Sequence, residues 1–139
     1  MKILIMGLPG SGKTTLAEKL FNEVCKNNPA EWINADDVRK ECNDWDFSPV
    51  GQLRQAKRMR IIADRAVSAG FITICDFDCT TQALRSEIDA NMIIWMDTIS
   101  AGTDVIFELP TEQEYDIRID KFDSDSWAET LADLIYMII

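Results

Sequence analysis

A chain of 139 residues is long enough for one domain with a buried core, and 47% hydrophobic against 27% charged residues is the balance of an ordinary globular protein. No apolar run approaches the roughly 20 residues that span a bilayer, and the apolar start breaks off at Gly7-Leu8-Pro9-Gly10, too short for a signal peptide, so a cytoplasmic protein is expected. The net charge of −10 argues against a long nucleic acid as partner, since binding by counterion release needs a positive surface.

In chain order, Lys2 to Met6 form a β-branched, apolar run ending at glycine, the pattern of a buried parallel strand. Residues 13–26 carry Leu16, Ala17, Leu20, Phe21 and Val24 at helical spacing, closed by Asn27-Asn28-Pro29. A second strand is expected at 31–34, then a short helix at 36–42 that opens with acidic residues, as a helix N-terminus prefers. Phe47-Ser48-Pro49 reads as the cap and first turn of a long helix reaching Ala69, with Gly70 as its stop. Strands follow at 71–75, 91–96 and 115–119, a helix around 80–90, and a final helix at 124–139 with an apolar stripe from Trp127 to Ile138. This alternation predicts an α/β fold of three layers in residues 1–139, a single domain with a mainly parallel five-stranded sheet covered by helices on both faces.

Charge is unevenly distributed. Residues 1–96 hold 13 acidic and 12 basic side chains, whereas residues 97–139 hold 11 acidic and 2 basic. Cys25, Cys42, Cys75 and Cys79 lack metal-site or redox spacing, and with no histidine in the chain they read as free thiols. Trp32, Trp95 and Trp127 read as packing residues, while Trp45 neighbours Phe47 in a candidate substrate loop.

The chemistry concentrates in Gly7-Leu8-Pro9-Gly10-Ser11-Gly12-Lys13-Thr14, which satisfies G-x-x-x-x-G-K-[ST] between a strand and a helix, with Thr15 following. The glycines let backbone N–H groups turn inward around phosphates, and the helix N-terminus adds its positive end. Lys13 can reach the β- and γ-phosphates of ATP, and the Thr14 hydroxyl can ligate Mg²⁺. The guanine-reading N/T-K-x-D motif is absent, and the short length favours a small-molecule kinase, so the three layers of residues 1–139 read as a P-loop NTPase sandwich, a single P-loop kinase domain. After the second strand, Asp36 can accept a hydroxyl proton or orient Mg²⁺, and Arg39 can hold an anionic group. Asp76, after the third strand, can reach the metal through water or serve the loop. Arg54, Arg58 and Arg65 share roughly one helix face, either a solvated surface or an anion clamp facing the phosphate loop.

The chain resembles the adenylylsulfate (APS) kinase family. The likeness rests on Asn34-Ala35-Asp36-Asp37-Val38-Arg39, in register with a D-G-D-x-V-R motif, on Phe47-Ser48-Pro49, and on the long helix ending in Ala69-Gly70. The resemblance implies Asp36 at the catalytic position with Lys13. It implies Arg39, Phe47 and Gln55 as contacts to a small anionic nucleotide, adenylylsulfate, joined by Arg58 if the arginine face is a clamp, and a homodimer as the assembly. It departs from the family at Asn34 and Gln52, at Cys79-Thr80-Thr81-Gln82 with Arg85 near by, and in having no Lys or Arg in residues 98–117, where the family carries a basic lid. Residues 100–114 are then either a shrunken lid or a connection. Two alternatives stand beside this reading. One is another small-alcohol or polynucleotide 5′-hydroxyl kinase, since Asp36 to Arg39 also resembles the aspartate-aspartate-x-arginine stretch of the latter. The other is a nucleotide-binding protein with little transfer.

Overall fold

The computed structural model describes residues 1–100, 105–121 and 123–139. Five strands, β1 (Lys2–Met6), β2 (Ala30–Asn34), β3 (Ile72–Asp76), β4 (Met92–Met96) and β5 (Ile117–Ile119), form one sheet in the order β2-β3-β1-β4-β5. Every neighbouring pair is parallel, with Leu4 opposite Cys75 on one side and Ile93 on the other. The helices are α1 (Lys13–Val24), α2 (Ala35–Cys42), α3 (Pro49–Ser68), α4 (Gln82–Ile88) and α5 (Ser124–Ile138). This is the expected α/β phosphate-loop architecture. None of the described helices is long and apolar enough to cross a membrane.

The alternation of side chains along a strand decides the two layers. Ile3 and Ile5 face one side of the sheet, where Leu16, Ala17 and Leu20 of α1 meet Leu131, Ala132 and Ile135 of α5. Leu4 and Met6 face the other, under Val38 of α2, Ala56, Met59 and Ala63 of α3, and Leu84 and Ile88 of α4. The central strand β1 is buried over its whole length, so both faces had to be apolar.

Several boundaries shift by a residue or two for local reasons. The first helix stops at Val24, because the amides of Asn27 and Asn28 turn back onto its carbonyl and break the ladder. The fourth helix is shorter than its expected span, held between the Thr81 side-chain cap and Asp89 in the left-handed region. The last strand keeps three residues, since Asp116 already turns its carboxylate onto the Ile93 amide. The third strand runs one residue further than expected, so Asp76 ends it instead of following it. Trp95 is buried, Trp32 and Trp127 pack half-buried against the core, and Trp45 is exposed.

Candidate functional site

β1 lies at the centre of the sheet between β3 and β4, and the chain winds outward in opposite directions from it. Such a switch point leaves a crevice at the carboxyl ends of the strands, the usual ligand position in an open parallel sheet. Gly7, Asn34 and Asp76 all stand at that edge, at or just past the ends of β1, β2 and β3.

The loop after β1 wraps tightly. Gly7, Gly10 and Gly12 have φ of 150°, 83° and 98°, which side-chain-bearing residues rarely adopt. At Gly7 a Cβ would lie 2.7 Å from the Met96 carbonyl and 2.9 Å from Ser11 Oγ, so glycine is required by space as well as by backbone angle. Thr98, two residues past the end of β4, braces the loop by donating to the Ser11 carbonyl at 2.8 Å. Lys13 is buried at the start of α1, and its ammonium donates to the Leu8 carbonyl at 3.0 Å and pairs with Asp78 at 2.7 Å.

Behind the loop, the Thr14 hydroxyl donates to Asp76 Oδ2 at 2.8 Å, and the Asn34 amide donates to the same oxygen at 2.8 Å. Asp76 is 2% exposed. Burial raises its carboxyl pKa above the ordinary value, against the bonds from Asn34 and Thr14 and the nearby Lys13 charge, which act the other way. Asn34 has a second task, its side-chain oxygen capping α2 at the Asp37 amide. An aspartate at position 34 could accept from that amide but could not donate to Asp76, and it would set two carboxylates side by side. The asparagine is therefore physically matched to its neighbour. The hydroxyl and carboxylate oxygens of Thr14 and Asp76 are the hard donor pair that Mg²⁺ takes together with substrate phosphates, so these residues fit that ion.

Beyond Asn34, Asp36 is exposed in the first turn of α2, and Arg39 is 3% exposed one turn later. Arg39 donates to the carbonyls of Asp44 and Asp46, and its guanidinium lies 4.3 Å from the centre of the Phe47 ring, whose outer face is open to solvent. Burial lowers the Arg39 pKa, and the charges of Asp44 and Asp36 partly restore it.

The arginine face of α3 divides: Arg65 is exposed, as on a solvated surface, whereas Arg54 and Arg58 are held by acids of the neighbouring loop. Arg54 clasps Asp44 at 2.7 Å and Asp46 at 3.1 Å, and Arg58 reaches Asp44 at 2.6 Å, so both brace the loop between α2 and α3. Gln55 is buried, donating to the Ala35 carbonyl and accepting from Arg58, and it joins α3 to α2. Gly51 lets this loop press onto α3, since a Cβ there would collide with Asp46. Arg65 is exposed near the far end of α3.

Sequence reasoning missed the roles of Asp44, Asp78 and Arg85. Arg85 is 3% exposed and donates to the Cys79 and Glu108 carbonyls and to Glu114 at 3.1 Å, while stacking 4.9 Å from the Phe107 ring centre. It ties residues 105–114, which lie within the cation-free segment, to the loop after β3. Residues 101–104 of the segment expected as a shrunken lid or a connection lie outside the described residues. An apolar cavity of about 610 Å³ between Met1, Met92, Leu134 and Ile138 sits at the opposite edge of the sheet and has no part in this crevice.

Comparisons with known proteins agree with this architecture. A family model described as an AAA domain matches residues 3–92. The APS kinase of Mycobacterium tuberculosis, solved with AMPPNP and APS, superposes with a TM-score of 0.85 at 20% identity, covering 97% of this chain and 96% of its own. A sugar kinase from Janibacter sp. gives 0.74 at 16% identity over 97% and 94% of the two chains. The shikimate kinase of Acinetobacter baumannii, in complex with shikimate, gives 0.60 at 12% identity over 98% and 93%. No curated protein matches the sequence. At these identities the solved structures share the phosphate-loop kinase fold with this chain.

Proposed function

The chain belongs to the AAA domain family, and on that premise we propose that it is an ATP-dependent phosphotransferase with a hydroxyl acceptor, resembling APS kinase. The observation that carries the reading is the Lys13 and Thr14–Asp76–Asn34 constellation beneath the glycine loop, and the Arg39–Phe47 pair that follows it on and after α2 supports it.

In this reading the loop N–H groups and the start of α1 hold the phosphates, and Lys13 neutralises their charge. Thr14, with Asp76 through water, would hold Mg²⁺, which would supply further neutralisation of the triphosphate. Asp36 accepts the proton of the acceptor hydroxyl. The hydroxyl oxygen then bonds to the γ-phosphorus as the bond to the β–γ bridging oxygen breaks, and ADP leaves with that electron pair. With adenylylsulfate as acceptor the product is 3′-phosphoadenylylsulfate. Phe47, open on one face and backed by the Arg39 guanidinium on the other, offers a platform for an adenine ring.

A second reading, transfer to a small uncharged alcohol, draws on a different observation. Arg54, Arg58 and Arg85 are already engaged by Asp44, Asp46 and Glu114, and residues 98–117 bring no cation to an anionic acceptor. Measuring kcat/KM for adenylylsulfate beside a set of neutral polyols and 5′-hydroxyl oligonucleotides separates the two. A preference for adenylylsulfate of 100-fold or more, lost on Phe47→Ala, is expected from the first reading. Equal or better use of a neutral alcohol refutes it.

A further inference from the structure

Asp78 belongs to none of the steps above, yet it makes the shortest contact of the phosphate-loop lysine. Phe77 donates its amide to the Ile5 carbonyl at 3.2 Å, and Gly7 donates its amide to the Asp78 carbonyl at 3.3 Å. Cys79, fully buried with φ of 48°, then turns the chain away. These three features fix the loop after β3 against the end of β1, so that the Asp78 carboxylate faces Lys13. The pair is unequal in exposure, the lysine side chain being 8% accessible and the aspartate 37%.

An ammonium group has three N–H donors. Here one goes to Leu8 and one to Asp78, which leaves a single donor where a triphosphate asks for contacts to two phosphate groups. A phosphate oxygen taking that last donor comes within about two hydrogen-bond lengths of the Asp78 carboxylate, like charge against like charge. The half-open aspartate can swing to solvent, whereas the buried lysine cannot follow it.

We propose that Asp78 is an internal competitor for the nucleotide phosphates, occupying Lys13 until a phosphate displaces it and thereby setting the affinity for nucleoside triphosphates. This rests on the reading of Lys13 as the phosphate-holding lysine. Apparent affinity falls by the fraction of molecules in which Lys13 is free, so a lysine unpaired about a tenth of the time weakens ATP about tenfold.

The test is calorimetric titration of ATP into the wild-type chain, Asp78→Asn and Asp78→Ala, first in EDTA and then with Mg²⁺. The near-isosteric Asp78→Asn leaves the Gly7 contact to the backbone intact, and unchanged circular dichroism certifies the fold of each variant. The expected result is ATP binding about tenfold tighter in both variants, already present in EDTA. Unchanged affinity overturns the proposal. Weaker binding overturns it too, and would show that Asp78 works alongside the bound nucleotide. If neither wild type nor variants bind ATP, the phosphotransfer reading falls together with this one, whereas ATP binding indifferent to residue 78 removes this one alone.

Discussion

Replacing Arg85 by methionine removes the cation that pins residues 105–114 to the body of the protein while preserving most of the side-chain volume. Its three contacts are to the Cys79 carbonyl, the Glu108 carbonyl and Glu114, with Phe107 stacked on the guanidinium. Removing one partner of a buried ion pair costs about 3–5 kcal/mol. Glu114 keeps a 2.6 Å bond from the Thr111 amide and its side chain is 14% accessible, so it is not left bare and the lower end applies. We therefore expect a loss of about 3 kcal/mol. For 139 residues the unfolding entropy is about 0.3 kcal/mol per kelvin, and the melting temperature should fall by about 10 °C. Urea and thermal unfolding give the magnitude, and limited proteolysis locates it. New cleavage should appear in residues 105–115 before the rest of the chain is cut. The double variant Arg85→Met with Glu114→Gln should recover part of the loss, since no carboxylate then seeks a partner. A loss below about 1 kcal/mol, or protease sensitivity that does not change, refutes Arg85 as the anchor of that segment.

Two further predictions concern titration and access. Bonds from Arg54 and Arg58 hold the Asp44 carboxyl well below the usual carboxylate range, so its stabilising contribution is present above the unfolded-state pKa and is lost as pH falls through the folded one. Asp44→Asn should accordingly lower the melting temperature at pH 7, with the difference from wild type shrinking toward pH 2; a difference that grows on acidification contradicts the pairing. Burial pushes the Cys75 thiol up to about 12 and the Cys79 thiol well above its ordinary value, while Cys25 and Cys42 are exposed. At pH 8 a thiol reagent should titrate two groups quickly in the folded chain and four in denaturant, and a third fast group would mean that the loop after β3 opens.

What the sequence disclosed was local. The phosphate loop could be read because its glycines, lysine and threonine act within eight consecutive positions, and the alternation of strand and helix could be read because both faces of β1 had to be apolar. The site's connections were not legible, because they join residues far apart in the chain. Lys13 meets Asp78 and Arg85 meets Glu114 only once the sheet order is known, whereas Thr14 and Asp76, both expected near Mg²⁺, are joined by a direct hydrogen bond. The partners of the α3 arginines were hidden for a related reason. Asn43, in the left-handed region at the end of α2, turns the following loop so that Asp44 lies over α3, and a helical face cannot report what lands on it. Asn34 looked like a lost acid in sequence, and its role as a donor to Asp76 becomes visible only beside β3.

The most direct test of the central claim is acceptor-dependent release of ADP from Mg·ATP, measured with adenylylsulfate, with a neutral alcohol panel and with no acceptor, using Lys13→Ala as the control. The account predicts turnover that requires an acceptor and falls by about 100-fold or more in Lys13→Ala, the scale of losing one charge-stabilising group at the transferring phosphate. Tight ATP binding with no acceptor-dependent turnover for any of these alcohols would contradict it, and would mark the chain as a protein that binds nucleotide without transferring its phosphate.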